Sequence, residues 1–367
     1  MIYYICLYVL FTLNFFNKYK KYIRKFSNII FCIFLCFTYM NGSDWKNYEI
    51  LYTQYSFQNF LSFPFEKLFC LYFSLFKIFR VDFWVFFILT KVVCFCVFMK
   101  IIYKFSINYF LVQAIFFVQL GLYLFIDCPL RNLIAISLGL LSIDYFIERK
   151  NFISFLYFIL AVMFHNSALI LLLFFFFYTM MWERNRSKMV LMMLLILSVI
   201  FTDKRILFFF LNVLKSLPAI YFRVYNYFGT KYDVTEIFNI RLVEKYIVAV
   251  LSLVYYKKIS KKYKYGEILV LLNMIFLVFY RIGSTFTALI RLALYFRIFN
   301  IILLSYIINL IKDRYLKYFC LVIYLIYMSF NLYFLIRDTR LYYPYTSYLQ
   351  YIGKEKPSYE DRINFLK

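Results

Sequence analysis

One histidine, His165, stands among 367 residues, and only 16% of the side chains are charged. A single imidazole excludes a multi-histidine metal centre. The chain also lacks a Walker loop, a GxGxxG and a CxxC pair, the usual sequence marks of a nucleotide cradle, a dinucleotide site and a thiolate metal site. Its eight cysteines (6, 32, 36, 70, 94, 96, 128 and 320) fall mostly inside apolar runs. Only Cys70 and Cys128 are expected near an outer face, so neither a disulfide scaffold nor a metal site is indicated. Internal repeats, heptads and low-complexity linkers are absent. So is the period-two alternation of a transmembrane barrel, which leaves helices as the structure of the apolar runs. The first run, Ile2–Phe16, has neither a basic flank before it nor an A-x-A site after it, and is expected to be a span rather than a cleaved signal.

What is abundant settles the class. Hydrophobic residues make up 65% of the chain, with 50 phenylalanines and 39 tyrosines, and several runs exceed what a soluble core needs. This composition predicts an all-α polytopic membrane protein. The formal charge of +24 would suggest nucleic acid in a soluble protein. Here the basic residues gather in short gaps, "NKYKKYIRK" (17–25), "ERK" (148–150), "ERNRSK" (183–188), "KKISKKYK" (257–264) and "KDRYLK" (312–317). That is the positive-inside pattern, so these gaps are expected in the cytoplasm and no nucleic acid is expected as a partner.

With those anchors about twelve crossings follow: 2–16, 26–40, 83–101, 108–125, 132–147, 151–164, 167–182, 189–201, 243–256, 267–282, 286–311 and 318–336. Residues 1–336 then form one transmembrane domain, completed by outer loops 41–82 and 202–242, and 337–367 form an extracytoplasmic tail. Segment 63–80, "FPFEKLFCLYFSLFKIFR", has Glu66, Lys67, Lys77 and Arg80 at its ends. Counting it as a span would invert every later loop, so it is expected to lie on the outer interface.

The stretch from Asn151 to Trp182 is 32 residues long, with His165 as its only titratable side chain. As one helix it would measure ~48 Å, against a hydrocarbon core of ~30 Å. It would also put Arg149 and Lys150 on the opposite side from Arg184, Arg186 and Lys188. A break and fold-back at His165-Asn166-Ser167 satisfies both constraints and puts the histidine near the extracytoplasmic surface. There it is either a hydrogen-bonding group between helices or a functional group, since intramembrane ionisable residues are functional candidates by default.

The same topology gathers Asp44, Glu49, Arg131, His165, Arg223, Arg241 and Arg281 at one outer boundary. Arg131 follows Pro129-Leu130 at the start of a helix, where backbone amides and a guanidinium both favour a phosphate; the alternative is an arginine snorkelling to headgroups. Arg291, inside "FTALIRLALYFRIF", needs a partner or an aqueous cavity, because a lone Arg at depth costs roughly 2.5–3.5 kcal/mol. The outward tyrosines Tyr48, Tyr52, Tyr55, Tyr342, Tyr343 and Tyr345 are candidates for stacking on sugar rings.

These residues carry a resemblance. "NGSDWKNY" (41–48) is similar to the Gly-Thr-Asp-x-x-x-Tyr element of the EpsG family of exopolysaccharide and Wzy-type O-antigen polymerases, "PLRNLIAISL" (129–138) to its Leu-Arg-Gln helix start, and "AVMFHNSALI" (161–170) to its Ala-x-x-Phe-His-x-Ser-Ala-Leu element. A late Arg291, Tyr295, Phe296 fits its C-terminal half. Ser43 replaces the usual Thr and Asn132 the usual Gln; loop 202–242 has no matching motif. The resemblance implies a fold like that of the C-type membrane glycosyltransferases. It also implies a polymerase joining undecaprenyl-diphosphate-linked oligosaccharide repeats at the outer face of the bacterial inner membrane, with a chain-length regulator as a possible protein partner. An O-antigen ligase, another lipid-linked-sugar glycosyltransferase and a flippase are the alternatives.

Chemically, such a transfer needs cations on the leaving diphosphate and a base on the acceptor hydroxyl. Arg131 and Arg291 are the expected diphosphate ligands. His165 is the expected base, since an unperturbed imidazole with a pKa of ~6.5 is mostly neutral at pH 7. Asp44 is expected to orient the acceptor or stabilise the imidazolium, and the two roles are exchangeable. Tyr48, Asn132, Ser167, Tyr295 and Arg281 are expected to support the sugars. No metal or other cofactor is called for.

Overall fold

The computed structural model describes residues 1–15, 20–60, 63, 65–183, 187–201, 240–286, 289–337, 341–355, 357, 358 and 360. Most of the long loop 202–242, with Arg223, lies outside these, as do Arg184 and Arg186. The described elements are helical, the answer to a bilayer in which no water can satisfy peptide groups. Five helices are long and apolar enough to cross a membrane: α5 (Phe83–Phe105), α7 (Leu130–Ile147), α13 (Gly266–Thr285), α14 (Ile290–Leu310) and α15 (Arg314–Arg337). Shorter apolar helices include α1 (Ile2–Leu13), α8 (Asn151–Phe164) and α10 (Ser187–Ile200). With α2 (Lys20–Cys36), α6 (Tyr109–Phe116), α9 (Leu171–Glu183) and α11 (Ile240–Val254), each of the twelve expected segments contains a helix.

The chain forms two compact units. One comprises Met1–Lys104, Asn108–Asn166 and Asp313–Lys367, and the other Phe105–Ile107 and Ser167–Lys312. In the first, α7 and α8 make a tight antiparallel hairpin about a turn in which Arg149 takes a left-handed φ of 60°. Two buried serines lock it reciprocally, Ser142 Oγ donating to the Ser154 carbonyl and Ser154 Oγ to the Ser142 carbonyl, both at 2.8 Å. Tyr145 stacks on Tyr157 with ring planes 3° apart. At the same end, Lys100 and Lys104 of α5 pair with Asp144 of α7, which is 2% exposed, and Lys104 also pairs with Glu148. In the second unit α13 packs along α14, with Asn300 donating to Asn273 at 2.7 Å in a fully buried contact.

Segment 63–80 contains α4 (Lys67–Ile78), only 12 residues long and two-sided: Phe69, Cys70, Phe73 and Ser74 are buried, whereas Leu71, Leu75 and Ile78 are exposed. Its buried face meets α8 through Phe69 and Tyr72 against Phe164. The C-terminal segment turns back onto the chain. Tyr39 N–H donates to Thr346 O at 3.0 Å and Gly42 N–H to Leu341 O at 2.9 Å, so residues 341–347 line up along 37–42.

Candidate functional site

The α7–α8 hairpin decides where the first groups lie. Arg131 is the second residue of α7, and His165 directly follows α8. Antiparallel helices of 18 and 14 residues joined by a short turn bring those two ends to one level. His165 is where the long apolar stretch breaks: it is extended at φ −160°, with a 3₁₀ turn, Asn166–Ile170, after it.

Between them stands a residue that the sequence reading marked only as a helix boundary. Glu66, at the N-terminus of α4, bridges the pair. Its Oε1 lies 3.0 Å from His165 Nδ1 and its Oε2 lies 2.7 Å from an Arg131 guanidinium nitrogen. The three side chains are mostly enclosed, at 16% exposure for Glu66, 20% for His165 and 25% for Arg131. Burial by itself pushes the Glu66 carboxyl up. The hydrogen bond from His165 and the Arg131 charge outweigh it and hold the group at about 2. Glu66 is therefore ionised at neutral pH and can only accept, which makes Nδ1 the donor. In the neutral imidazole that leaves Nε2 as the acceptor, the state a general base requires.

Arg131 is held from several sides. Its guanidinium carbon sits 4.3 Å from the Phe65 ring centre, and Tyr48 is within hydrogen-bonding reach through both the side chain and the Arg131 N–H, the latter at 3.4 Å. Burial raises the Tyr48 hydroxyl pKa despite that neighbouring positive charge. The Arg131 Nε is buried and meets no acceptor among the described residues.

Asp44 lies in the adjoining turn, ahead of α3 (Trp45–Gln54). Gly42 explains the turn's shape. Its φ is +87°, and a Cβ there would fall 2.0 Å from the Ile126 carbonyl oxygen. The close approach lets Ser43 donate to Asp127 Oδ1 from both its N–H and its hydroxyl, each at 2.8 Å. A hydroxyl is what position 43 needs, and Ser supplies it where Thr is usual. Ser43 Oγ is also 3.2 Å from Asp44 Oδ1. Two sequence motifs, "NGSD" and "IDCPLRN", are thereby one joint. Beneath it lies Lys91 of α5, completely buried. Its ammonium donates to Thr38 Oγ1 at 2.7 Å, to Phe125 O at 3.1 Å and to Leu35 O at 3.5 Å, and faces the Phe87 ring at 4.7 Å.

In the second unit Ser167 Oγ and Tyr295 OH are 2.9 Å apart. Arg281 is 3% exposed and donates to Ser284 Oγ at 3.3 Å. Asn132, in the first unit, is buried at the start of α7.

Two expectations need correction. Arg291 is exposed, in the first turn of α14, because that helix begins at Ile290 rather than at the start of the apolar run 286–311. The tyrosine platform is mostly core. Tyr48, Tyr52, Tyr55 and Tyr342 are buried, and Tyr345 stacks on Phe34 at 4.6 Å, because in so aromatic a sequence rings pack first on each other; of the six only Tyr343 is strongly exposed.

A model of the EpsG family matches residues 21–347, nearly the whole chain. The chain belongs to the EpsG family. No curated protein and no solved structure gives a significant match. EpsG membership puts the chain in polysaccharide biosynthesis, in a polymerase-type role on a lipid-linked oligosaccharide, and accords with its long apolar helices.

Proposed function

We propose that this EpsG protein is a repeat-unit polymerase, with a fold of about twelve crossings like that of C-type glycosyltransferases and a site facing the outside of the bacterial inner membrane. Its reaction joins undecaprenyl-diphosphate-linked oligosaccharides. The observation that carries this reading is the bridge His165–Glu66–Arg131, which sets a base and a cation on the two sides of one carboxylate.

In the proposed step His165 Nε2 takes the proton of the acceptor sugar hydroxyl as that oxygen bonds to the donor's anomeric carbon. The bond from this carbon to the diphosphate oxygen breaks, and its electron pair leaves with undecaprenyl diphosphate. Glu66 keeps Nδ1 protonated and stabilises the imidazolium; that role, assigned from sequence to Asp44, passes to the carboxylate in contact with the ring. Asp44 then orients the acceptor. Arg131 offers its buried Nε and the amides at the α7 N-terminus to the diphosphate. Arg291, read from sequence as a phosphate ligand, and Ser167, Tyr295 and Arg281, read as supports, belong to the second unit, and the proposed step rests on the residues of the first.

The test is purified protein reconstituted with a lipid-linked repeat and no ATP. A ladder of lengthening glycans, with release of undecaprenyl diphosphate, is the expected result. Transfer of a single unit to a non-glycan acceptor would replace the polymerase with a ligase, and movement of the lipid across the bilayer without new glycosidic bonds would replace it with a flippase.

A further inference from the structure

The second unit holds a groove of about 420 Å³ that the proposed chemistry does not use. It runs between the start of α10 and the junction of α11 with α12 (Tyr256–Lys262). Its walls are apolar: Leu191 and Met192 on one side, Leu253 and Val254 on the other. Met192 and Val254 are exposed, at 49% and 69%, as side chains facing lipid would be. Three lysines rim one end: Lys188 from "ERNRSK", and Lys257 and Lys258 from "KKISKKYK". All three are exposed, and no carboxylate pairs with them among the described residues. Glu267, on the neighbouring helix, is taken by the Tyr256 hydroxyl.

We propose that this groove binds one anionic phospholipid of the leaflet at the basic end of the helices, with an acyl chain along Leu191 and Leu253 and the headgroup phosphate among Lys188, Lys257 and Lys258. The chemistry of the lining fits such an occupant. An apolar trough next to ammonium groups that no described carboxylate neutralises, one of them over the Tyr255 ring at 5.4 Å, matches a molecule that is hydrocarbon at one end and anionic at the other. Basic pockets between helices at a membrane boundary are suited to acidic headgroups. Lysines that only snorkelled would need no trough beside them, and a trough that only packed against lipid would need no cluster of cations.

Each lysine near a membrane surface strengthens the attraction to an acidic lipid about fivefold, so three contribute on the order of a hundredfold. The experiment is native mass spectrometry of the full-length protein titrated with phosphatidylglycerol or phosphatidylcholine, counting bound lipids. Wild type should retain one phosphatidylglycerol that phosphatidylcholine does not replace. K188Q/K257Q/K258Q should lose it, and Leu253→Trp should lose it with all three lysines in place. A control set at Lys312, Arg314 and Lys317, changed to Gln, should keep it. Equal retention of the two lipids by wild type would overturn the site, as would wild-type retention in the groove-filling variant. If the triple variant does not fold, Leu253→Trp carries the test.

Discussion

Replacing Glu66 by Gln preserves shape and removes one charge, so it isolates what the carboxylate does for its two partners. A carboxylate held at about 2, rather than near ~4.3 in an unfolded chain, contributes about 3 kcal/mol to the folded state. Because the folded value is the lower one, that contribution is complete above pH ~5 and disappears as pH falls toward 2. Wild type should therefore lose thermal stability across that window by about 3 kcal/mol more than Glu66→Gln does, and at pH 7 the variant should be the less stable protein by a similar amount. Turnover should fall further than stability. A Gln amide can turn its NH₂ toward Nδ1, which moves the imidazole proton to Nε2 and abolishes the base, and it cannot stabilise an imidazolium. The expected loss is about 10²–10⁴-fold in the reconstituted ladder assay, at normal protein yield. Glu66→Asp keeps the charge with a shorter reach and should recover part of the activity. A Glu66→Gln protein that polymerises at the wild-type rate would refute the reasoning, and an unchanged acid profile would refute its electrostatic half.

The remaining groups make distinct predictions. Arg131→Ala should abolish polymer with the protein still in the membrane, and Arg131→Lys should restore little, since one ammonium cannot hold Glu66 and grip a phosphate in a fork; full-length polymer from Arg131→Ala would reduce the residue to a structural tie. His165→Gln retains hydrogen bonding without accepting a proton at pH 7, so near-normal polymerisation would identify a structural histidine, whereas loss with normal folding and donor binding supports the base. A cysteine at Asn166 should react with an outside reagent and one at Ser187 should not; the reverse pattern would overturn the orientation.

Much of the architecture was readable because it depends on local hydrophobicity. Twelve apolar segments contain helices, the long apolar stretch breaks at His165, and 63–80 holds a short two-sided helix. The pairing of side chains depends on distant approach and was not readable in the same way. Glu66 lies 99 residues from His165 and 65 from Arg131 along the chain, in a segment whose charges look like ordinary helix-boundary residues. One signal did exist: acidic residues number only 18, so a carboxylate beside an apolar outer helix was unusual enough to follow. Asp127 escaped for a different reason. Its partner is the Ser43 backbone as well as its hydroxyl, and a contact to an N–H leaves no mark on residue identity.

Two enclosed cations of the first unit, Lys91 and Arg131, can be sorted by counting donors. An ammonium has three hydrogens, and Lys91 meets three neutral acceptors, so it is complete without any ligand. Those acceptors belong to the C-terminal end of α2, to the approach to Gly42 and to the segment just before Asp127, so the lysine pins the two strands of the joint that carry Asp44 and Arg131. Arg131 has five N–H groups and a buried Nε with no acceptor among the described residues, so it keeps donor capacity that Lys91 has used up. The distinction is testable through Lys91→Met, which keeps the length and removes the charge. Three buried acceptors would lose their donor, at about 1–3 kcal/mol for each one left unsatisfied, so the thermal midpoint should drop by many degrees. What polymer the surviving protein makes should then show a lower kcat with little change in KM for the lipid-linked donor, since Arg131 itself is intact and only the joint has loosened. If Lys91→Met instead raised KM sharply at full stability, the lysine would be a substrate ligand and the donor count would have misled.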